Sequence, residues 1–369
     1  MSKTRVALYR AGYDDIPRLM EQAIAQIDFD FDKATVLVKP NMLGPYPPER
    51  HVTTQPVVIR AALDALLARG AKPVVGDNAG ISGYGSFLRT AKLTGIADAA
   101  GKYLSNIAGN VVSYRLPTLE LDIHVSRMVF DADFILNLPV AKTHTLSYIT
   151  GAVKNTFGYV AGAGKAQIHH AGGSMHGFGV ALADIYAIRP PDFTFMDAIV
   201  SVGGNGPSST SLFDLGAVLW GKDGAAVDAT FCRFVDVRPE MVPHLHEVGA
   251  RGLGLIAEKT IMVEGDSPAK PAKYRMPITY RGPIWRGLGR LVAPLSNLSF
   301  TLMNPKPRID PKVCTRCGDC QRMCPEGALD SLPEVDYQKC IRCYCCKEAC
   351  TYGAIRLGGL VRMLQGRHK

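Results

Sequence analysis

The chain has 369 residues, 47% of them hydrophobic, with 37 glycines, 24 prolines and a formal charge of +9 at pH 7. That length suits two or three domains with a large core. No apolar run approaches the roughly 18 residues that cross a bilayer, and the opening MSKTRVALYRAGYDD lacks the apolar stretch of a secretory signal, so a cytoplasmic location is expected.

In chain order, short apolar strands alternate with helices. Val6–Tyr9 reads as a strand, and Asp15-Ile16-Pro17 opens a helix whose Ile16, Leu19, Met20, Ala23, Ile24 and Ile27 recur at helical spacing. Thr35–Val38 is a buried strand ending in Lys39-Pro40-Asn41; Pro56 starts a helix that Gly70 stops; Lys72–Val75 runs into Gly76-Asp77-Asn78-Ala79-Gly80. Phe134–Leu138 leads to Lys142-Thr143-His144, and a helix from about Leu146 carries Lys154-Asn155. Phe193–Met196 ends at Asp197, and Leu215–Trp220 at Gly221. Four- to six-residue apolar strands between helices predict an α/β fold, a mainly parallel sheet with flanking helices on both faces.

In such sheets ligands bind at the carboxyl ends of the strands. Lys39, Asn41, Asp77, Asn78, Lys142, His144 and Asp197 sit there, with Lys154 and Asn155 nearby. Asp and Asn also end strands simply as turn formers and caps, but lysine and histidine are not cap residues. The set therefore reads as a basic pocket for a small anionic substrate. Lys142, Lys154 and His144 take the catalytic roles, while Lys39, Asn41, Asp77, Asn78, Asn155 and Asp197 bind.

Gly158–Ala166 imitates a phosphate loop but has Tyr159 where the first glycine belongs and Ala166 in place of Ser/Thr. Gly203-Gly204-Asn205-Gly206-Pro207 is either a close backbone approach to a ligand or a flexible turn. His169, His170 and His176 read as residues of a glycine-flanked loop rather than a metal site; His244 and His246 read as surface-helix residues, and Cys232 as core. Residues 267–300 hold six basic and no acidic side chains, with Trp285, Leu288, Leu291, Val292 and Leu295 interspersed. The proline-rich, acid-free stretch 267–309 reads as a linker packing on one domain, or alternatively as an amphipathic surface for a membrane.

The positive charge is concentrated late in the chain: residues 1–266 carry 24 Lys/Arg against 26 Asp/Glu, and residues 301–369 carry twelve against seven. A basic face of this kind suits an acidic redox partner; no nucleic-acid motif accompanies it.

That last region holds eight cysteines in two copies of C-x2-C-x2-C-x3-C: Cys314, Cys317, Cys320, Cys324 and Cys340, Cys343, Cys346, Cys350. In this run the fourth cysteine ligates the other [4Fe–4S] cluster. One cluster is therefore assigned to Cys314, Cys317, Cys320 and Cys350, and the second to Cys340, Cys343, Cys346 and Cys324. Zinc rarely needs the third cysteine or the Cys324-Pro325 ending, and disulfides would need an oxidising compartment. Cys345, beside Cys346, reads as a spectator thiol.

Residues 306–358 resemble the two-cluster ferredoxins, with Thr351 where a proline is usual. Lys39-Pro40-Asn41, Gly76-Asp77, Lys142-Thr143-His144, Lys154-Asn155-x-x-Gly158 and Asp197 resemble the family called domain of unknown function 362, over roughly residues 5–265. The resemblance implies an iron–sulfur-associated domain and no particular reaction. The expected layout is an α/β domain at 1–265, a basic linker at 266–305 and a small α+β two-cluster domain at 306–369. Two functions follow: a redox enzyme acting on an anion, or a non-catalytic electron carrier whose larger domain docks a partner.

Overall fold

A computed structural model of the chain describes residues 3–79, 87–162, 164–266, 268–271, 273–280, 306–322, 324, 326–340, 346, 350, 352 and 354–357. Gly80, Cys343, Cys345, Arg342, the apolar residues of 285–295 and the tail beyond Leu357 lie outside them. The chain divides into two compact units, Met1–Thr279 and Tyr280–Lys369.

Unit 1 is built on a nine-stranded mixed sheet. Its strands are β1 (Thr4–Arg10), β2 (Thr35–Pro40), β3 (Lys72–Val75), then, after a separate hairpin of β4 (Val111–Leu116) and β5 (Leu121–Ser126), β6 (Phe134–Leu138), β7 (Val140–His144), β8 (Tyr148–Thr150), β9 (Phe193–Gly203), β10 (Ser211–Gly221) and β11 (Ile261–Glu264). The order is β11-β1-β10-β9-β6-β2-β3, with β7 on β9 and β8 on β7. The β2–β3, β2–β6, β6–β9, β7–β9 and β1–β11 pairings are parallel. The β9–β10 ribbon, β1–β10 and β7–β8 are antiparallel.

Helices α1 (Ile16–Ala25) and α2 (Pro56–Leu67) cover one face, followed by α3 (Phe87–Leu93), α4 (Ile96–Ala100) and α5 (Met128–Asp131). Further helices of unit 1 among the described residues are α6 (Ala152–Asn155), α7 (Gly164–Gly172), α8 (Met175–Ile188), α9 (Gly224–Phe234) and α10 (Pro243–Ala250). Two-sided burial shows within β2. Val36 and Val38 join the core of α1 and α2, whereas Leu37 joins the opposite core with Ile123, Val125, Phe178 and Leu182. Alternate side chains of a strand point to opposite faces, so a strand buried on both sides must be apolar throughout.

Several boundaries differ from the sequence reading. Asp197 lies inside β9, which runs on to Gly203 because the antiparallel β10 pairs along its whole length. Lys142 and His144 belong to a strand, β7, rather than to a loop after one. The helix with Lys154 and Asn155 begins at Ala152, since Tyr148–Thr150 form β8. His169 and His176 lie on α7 and α8. The glycine-rich Gly203–Pro207 segment is tied down: the hydroxyls of Thr143 and Thr145 donate to the carbonyls of Gly204 and Gly206, both at 2.8 Å. Residues of the basic linker also pack on this unit, with the Tyr274 and Ser201 hydroxyls 2.7 Å apart and Thr279 Oγ1 donating to Thr145 O at 2.7 Å.

Unit 2 pairs β12 (Pro307–Ile309) antiparallel with β13 (Ile355–Leu357). Its halves repeat each other. Asp310 N donates to Ala354 O and Asp336 N to Ala328 O, both at 2.8 Å; Cys314 N and Cys340 N donate to Asp310 O and Asp336 O, both at 3.0 Å. Leu329 and Ile355 fill the same place in the core beside Cys320 and Cys346. The doubled cysteine spacing is therefore a doubled fold.

Candidate functional site

The carboxyl edge of the sheet is a buried polar network. The Lys39 ammonium, fully buried, donates to Asp77 Oδ1 at 2.7 Å and to Pro40 O at 3.1 Å. Asp77 Oδ2 accepts Met42 N at 2.8 Å. Burial pulls the Lys39 pKa down and the Asp77 charge opposes that shift. Lys142, also buried, donates to Asn41 Oδ1 at 2.7 Å and to the Val52 carbonyl. An amide ladder then runs from Asn41 Nδ2 to Asn155 Oδ1 at 2.9 Å and from Asn155 Nδ2 to Asn137 Oδ1 at 2.8 Å. Buried amides and charges stay inside only when partnered, and here they partner one another.

Two more groups lock the network. Asn78 Nδ2 donates to Gly158 O at 2.9 Å. A Cβ at Gly158 would fall 1.8 Å from Asp77 Oδ1 and 2.6 Å from Lys39 Nζ, so glycine is required for the ion pair to seat. Asp228, buried in α9, accepts Ala152 N and Val153 N at 2.5 and 3.0 Å and so holds the start of α6. The sequence reading named neither Asn137 nor Asp228. A buried Asn in the apolar run Phe134–Leu138 was the available signal for the first.

Lys39, Asn41, Asp77, Lys142 and Asn155 are thus brought together, facing each other, while Asn78 beside them bonds the Gly158 and Tyr159 carbonyls and leaves its Oδ1 without a partner. The expectation that Lys39 and Lys142 present their charges to an anion meets a physical obstacle: internal oxygens already hold both ammonium groups.

Lys154 precedes Asn155 on α6. Its ammonium sits 5.4 Å from the Phe157 ring centroid and 5.7 Å from that of Phe178, within cation–π range. Lys165 Nζ, 5.7 Å from Phe157, donates to the carbonyls of Asn78 and Ala79, the latter at 3.0 Å. His169 stacks on Phe178 at 4.3 Å and meets Phe157 edge-on. His144 is buried, and its Nδ1 accepts Leu146 N at 3.1 Å and Ser147 N at 3.3 Å. That fixes its proton on Nε2.

Every major influence on His144 lowers its pKa: burial first, then Lys154, His169, Lys142 and His244. Burial and the Lys154 charge push His169 and His244 down to about 3. His244 is completely buried on α10, correcting its assignment to the surface; the packing of α10 on α8 hides that face. Neither of its ring nitrogens has a hydrogen-bond partner. Lys154 thus places a positive charge over the Phe157 and Phe178 rings, among imidazoles that burial keeps neutral. Among the described residues no three His, Cys, Asp or Glu side chains close on a single metal ion.

In unit 2 one cavity is walled by Cys314, Cys317, Cys320 and Cys350 together with Ile309, Leu332, Ala354 and Ile355. Cys350 thus joins the first three cysteines. The proximity of Cys350, Cys317 and Cys314, after burial, helps raise the Cys320 pKa to about 11. Backbone amides of Ala328 and Ala354 donate to Cys324 Sγ and Cys350 Sγ, both at 3.2 Å. Four thiols round one apolar-walled space, one of them (Cys350) supported by a backbone N–H, fit an iron–sulfur cluster. Of the second set, Cys324, Cys340 and Cys346 are described.

Comparisons agree with this division. The model of a family described as domain of unknown function (DUF362) matches residues 36–233, over half of the chain, and that of a 4Fe-4S dicluster domain matches 306–354. A thylakoid-associated protein of Synechocystis sp. is 30% identical over 217 residues, covering 56% of this chain and 65% of that relative. The lactate racemase apoprotein of Thermoanaerobacterium thermosaccharolyticum aligns with a TM-score of 0.44 and 13% identity, over 63% of this chain and 57% of that one. A protein from Thermotoga maritima aligns with a TM-score of 0.36 and 15% identity, over 52% and 51%. The chain thus spans less than two thirds of each. Among the described residues no helix is long and apolar enough to cross a membrane. The dicluster domain supports iron–sulfur electron transfer.

Two consequences can be measured. Gly158→Ala should break the Lys39–Asp77 pair and destabilise unit 1 by about 3–5 kcal/mol, the usual cost of disrupting a buried pair, while leaving iron content unchanged. Denaturant titration with iron analysis checks both. His244 titrates near 6.5 when unfolded and about 3 when folded. Its depressed pKa makes stability fall as pH drops below 6.5, by up to about 1.4 kcal/mol per pH unit. His244→Phe should flatten that slope between pH 6.5 and 5; an unchanged slope would show that the folded-state pKa of His244 is not depressed.

Proposed function

The chain belongs to the DUF362 family, and from that premise we propose an iron–sulfur redox protein that couples two [4Fe–4S] clusters to a small organic anion bound by unit 1. The observation that carries the redox part is the gathering of Cys314, Cys317, Cys320 and Cys350 round one cavity despite the sequence distance of Cys350. Cys340, Cys343, Cys346 and Cys324 hold the second cluster by the same repeat. When bound, the clusters supply one-electron transfer. The residues of the chain hold them and screen their charge: Arg316, Lys312 and Arg322 lie in or beside the first cysteine loop and suit an acidic redox partner in the cytoplasm.

In unit 1 the anion is received by Lys154 and the Nε2–H of His144, over Phe157 and Phe178. The lysine charges near His144 support this, because Lys154 and Lys142 both press its pKa down. His144 is kept neutral and so donates a hydrogen bond without competing as a cation. Lys39, Asn41, Asp77, Asn78, Lys142 and Asn155 serve as the frame beneath.

A specific observation also favours the electron-carrier reading: the internal pairing of Lys39 and Lys142 removes two of the expected anion ligands. In that reading unit 1 docks a partner. Membrane association, suggested by the thylakoid-associated relative, would be peripheral and would use the basic residues of 267–300.

Anaerobically purified protein should contain about eight irons and eight sulfides per chain. Cys350→Ser and Cys314→Ser should remove the same cluster signal in electron paramagnetic resonance, and Cys324→Ser and Cys340→Ser the other; Cys345→Ser should keep both. Pairing of Cys350 with Cys340 instead would refute the crossed assignment. Mass spectrometry of released small molecules should find an organic acid in the wild type, depleted in Lys154→Met. Its absence from both would favour the carrier.

A further inference from the structure

Away from Lys154, a second set of titratable groups meets at the same sheet edge. Tyr13 follows β1, His51 follows a short 3-10 turn at Pro48–Arg50, and Asp197 lies in β9. The Tyr13 hydroxyl is 3.1 Å from His51 Nδ1 and 3.4 Å from Asp197 Oδ2. The Tyr13 and His51 rings stack at 5.9 Å. Gln55 Nε2 donates to Pro48 O at 2.8 Å and reaches His51 Nδ1 at 3.2 Å. Asp197 is buried, its Oδ1 accepting Ile199 N at 3.0 Å, whereas Tyr13 and His51 are half-buried.

Hydrogen counting makes this arrangement two-state. The Gln55 amide is oriented by Pro48, so its other N–H points at His51 Nδ1; that nitrogen is an acceptor and the ring carries its proton on Nε2. The Tyr13 hydroxyl has one hydrogen for two acceptors. When Asp197 is ionised, that hydrogen turns to Oδ2, and Gln55 satisfies Nδ1. When Asp197 is protonated, its own O–H donates to the Tyr13 oxygen, and the tyrosine hydrogen turns to Nδ1.

We propose that Asp197, Tyr13 and His51 form a proton relay that links a buried carboxyl group to the carboxyl edge of the sheet. In the transfer, the Asp197 O–H bond breaks as its proton passes to Tyr13 Oη. The tyrosine proton passes to His51 Nδ1, and the Nε2 proton leaves to a Brønsted base at the edge, water when no ligand is there. Asp197 ends as carboxylate, Tyr13 is unchanged, and His51 is neutral with its proton on Nδ1; that proton opposes the Gln55 N–H, which returns the ring to the Nε2–H form when the transfer reverses. The chain thereby holds a proton source as well as the one-electron carriers of unit 2, and reduction of an organic molecule requires both. The relay stands on contacts distinct from those of the Lys154 region.

The surrounding charges set its range. Burial raises the Asp197 pKa to about 6, opposed by the bonds from Ile199 and Tyr13. Burial, Asp197 and Asp214 raise that of Tyr13, keeping the phenol protonated. Burial lowers that of His51 against the pull of Glu49, keeping it neutral.

The test uses full-length, cluster-loaded protein labelled with 15N-histidine, without added ligand, and follows ring nitrogen shifts across pH. His51→Gln identifies the resonances. The expected result is an Nε2–H tautomer whose Nδ1 shift steps near pH 6. That step is lost in Asp197→Asn and in Tyr13→Phe, which keeps the stacked ring, and is retained in Glu49→Gln. A step that survives in Tyr13→Phe, no step in the wild type, or an Nδ1–H tautomer at both ends would overturn the relay. If Asp197→Asn does not fold, the wild type and Tyr13→Phe decide. Because no ligand takes part, failure to bind an organic anion leaves this result standing.

Discussion

The buried pair of Lys39 and Asp77 is the constraint on which the rest of unit 1 depends. An ammonium and a carboxylate taken out of water must meet closely and have their remaining hydrogen-bonding capacity filled. Asp77 therefore also takes the Met42 amide, Lys39 takes the Pro40 carbonyl, and Gly158 leaves room for both. Asn155 hydrogen-bonds the Pro40 carbonyl and the Asn137 side chain, so the chain segment carrying Lys154 is registered against β2 and β6. That frame also fixes where α6 begins, and with it the backbone position of Lys154.

This explains why one set of residues suggested a pocket in the sequence and a keystone in the structure. Lys39, Asn41, Asp77 and Lys142 stand near the carboxyl ends of β2, β3 and β7, where ligands are usually bound, and sequence position cannot show whether a lysine faces a cavity or an aspartate. That choice is made by Gly158, far along the chain, and by the Val52 carbonyl, whose backbone position no residue type encodes. Tyr13 and His51 were not legible for the same reason. Their partner is Asp197, and only the β9–β10 ribbon, which extends β9 past Asp197, fixes where that carboxylate points.

Other features were legible because they rest on local chemistry. The limits of Lys72–Val75 and Phe134–Leu138 emerge directly from apolar runs bounded by polar residues, and the Pro56 helix start follows from the fixed φ of proline. The mainly parallel sheet follows from strands apolar on both faces. The antiparallel β9–β10 and β7–β8 pairings were missed because their polar and glycine residues break the alternation expected of a strand. In unit 2 the repeat was visible in the cysteines themselves, and the duplicated Asp310 and Asp336 hydrogen bonds give it a backbone counterpart.

Under the proposed function the edge lysines divide into a structural pair, Lys39 and Lys142, and a ligand-binding Lys154. Thermal unfolding of Lys39→Met, Lys142→Met and Lys154→Met, compared with the wild type under anaerobic conditions, tests it most directly. The account predicts that Lys39→Met and Lys142→Met lower the melting temperature of unit 1 by roughly 10 °C, the scale of a lost buried ion pair in a domain of this size, and that Lys154→Met leaves it within about 2 °C. Melting unchanged by Lys39→Met and Lys142→Met, with Lys154→Met the destabilising change, would contradict it.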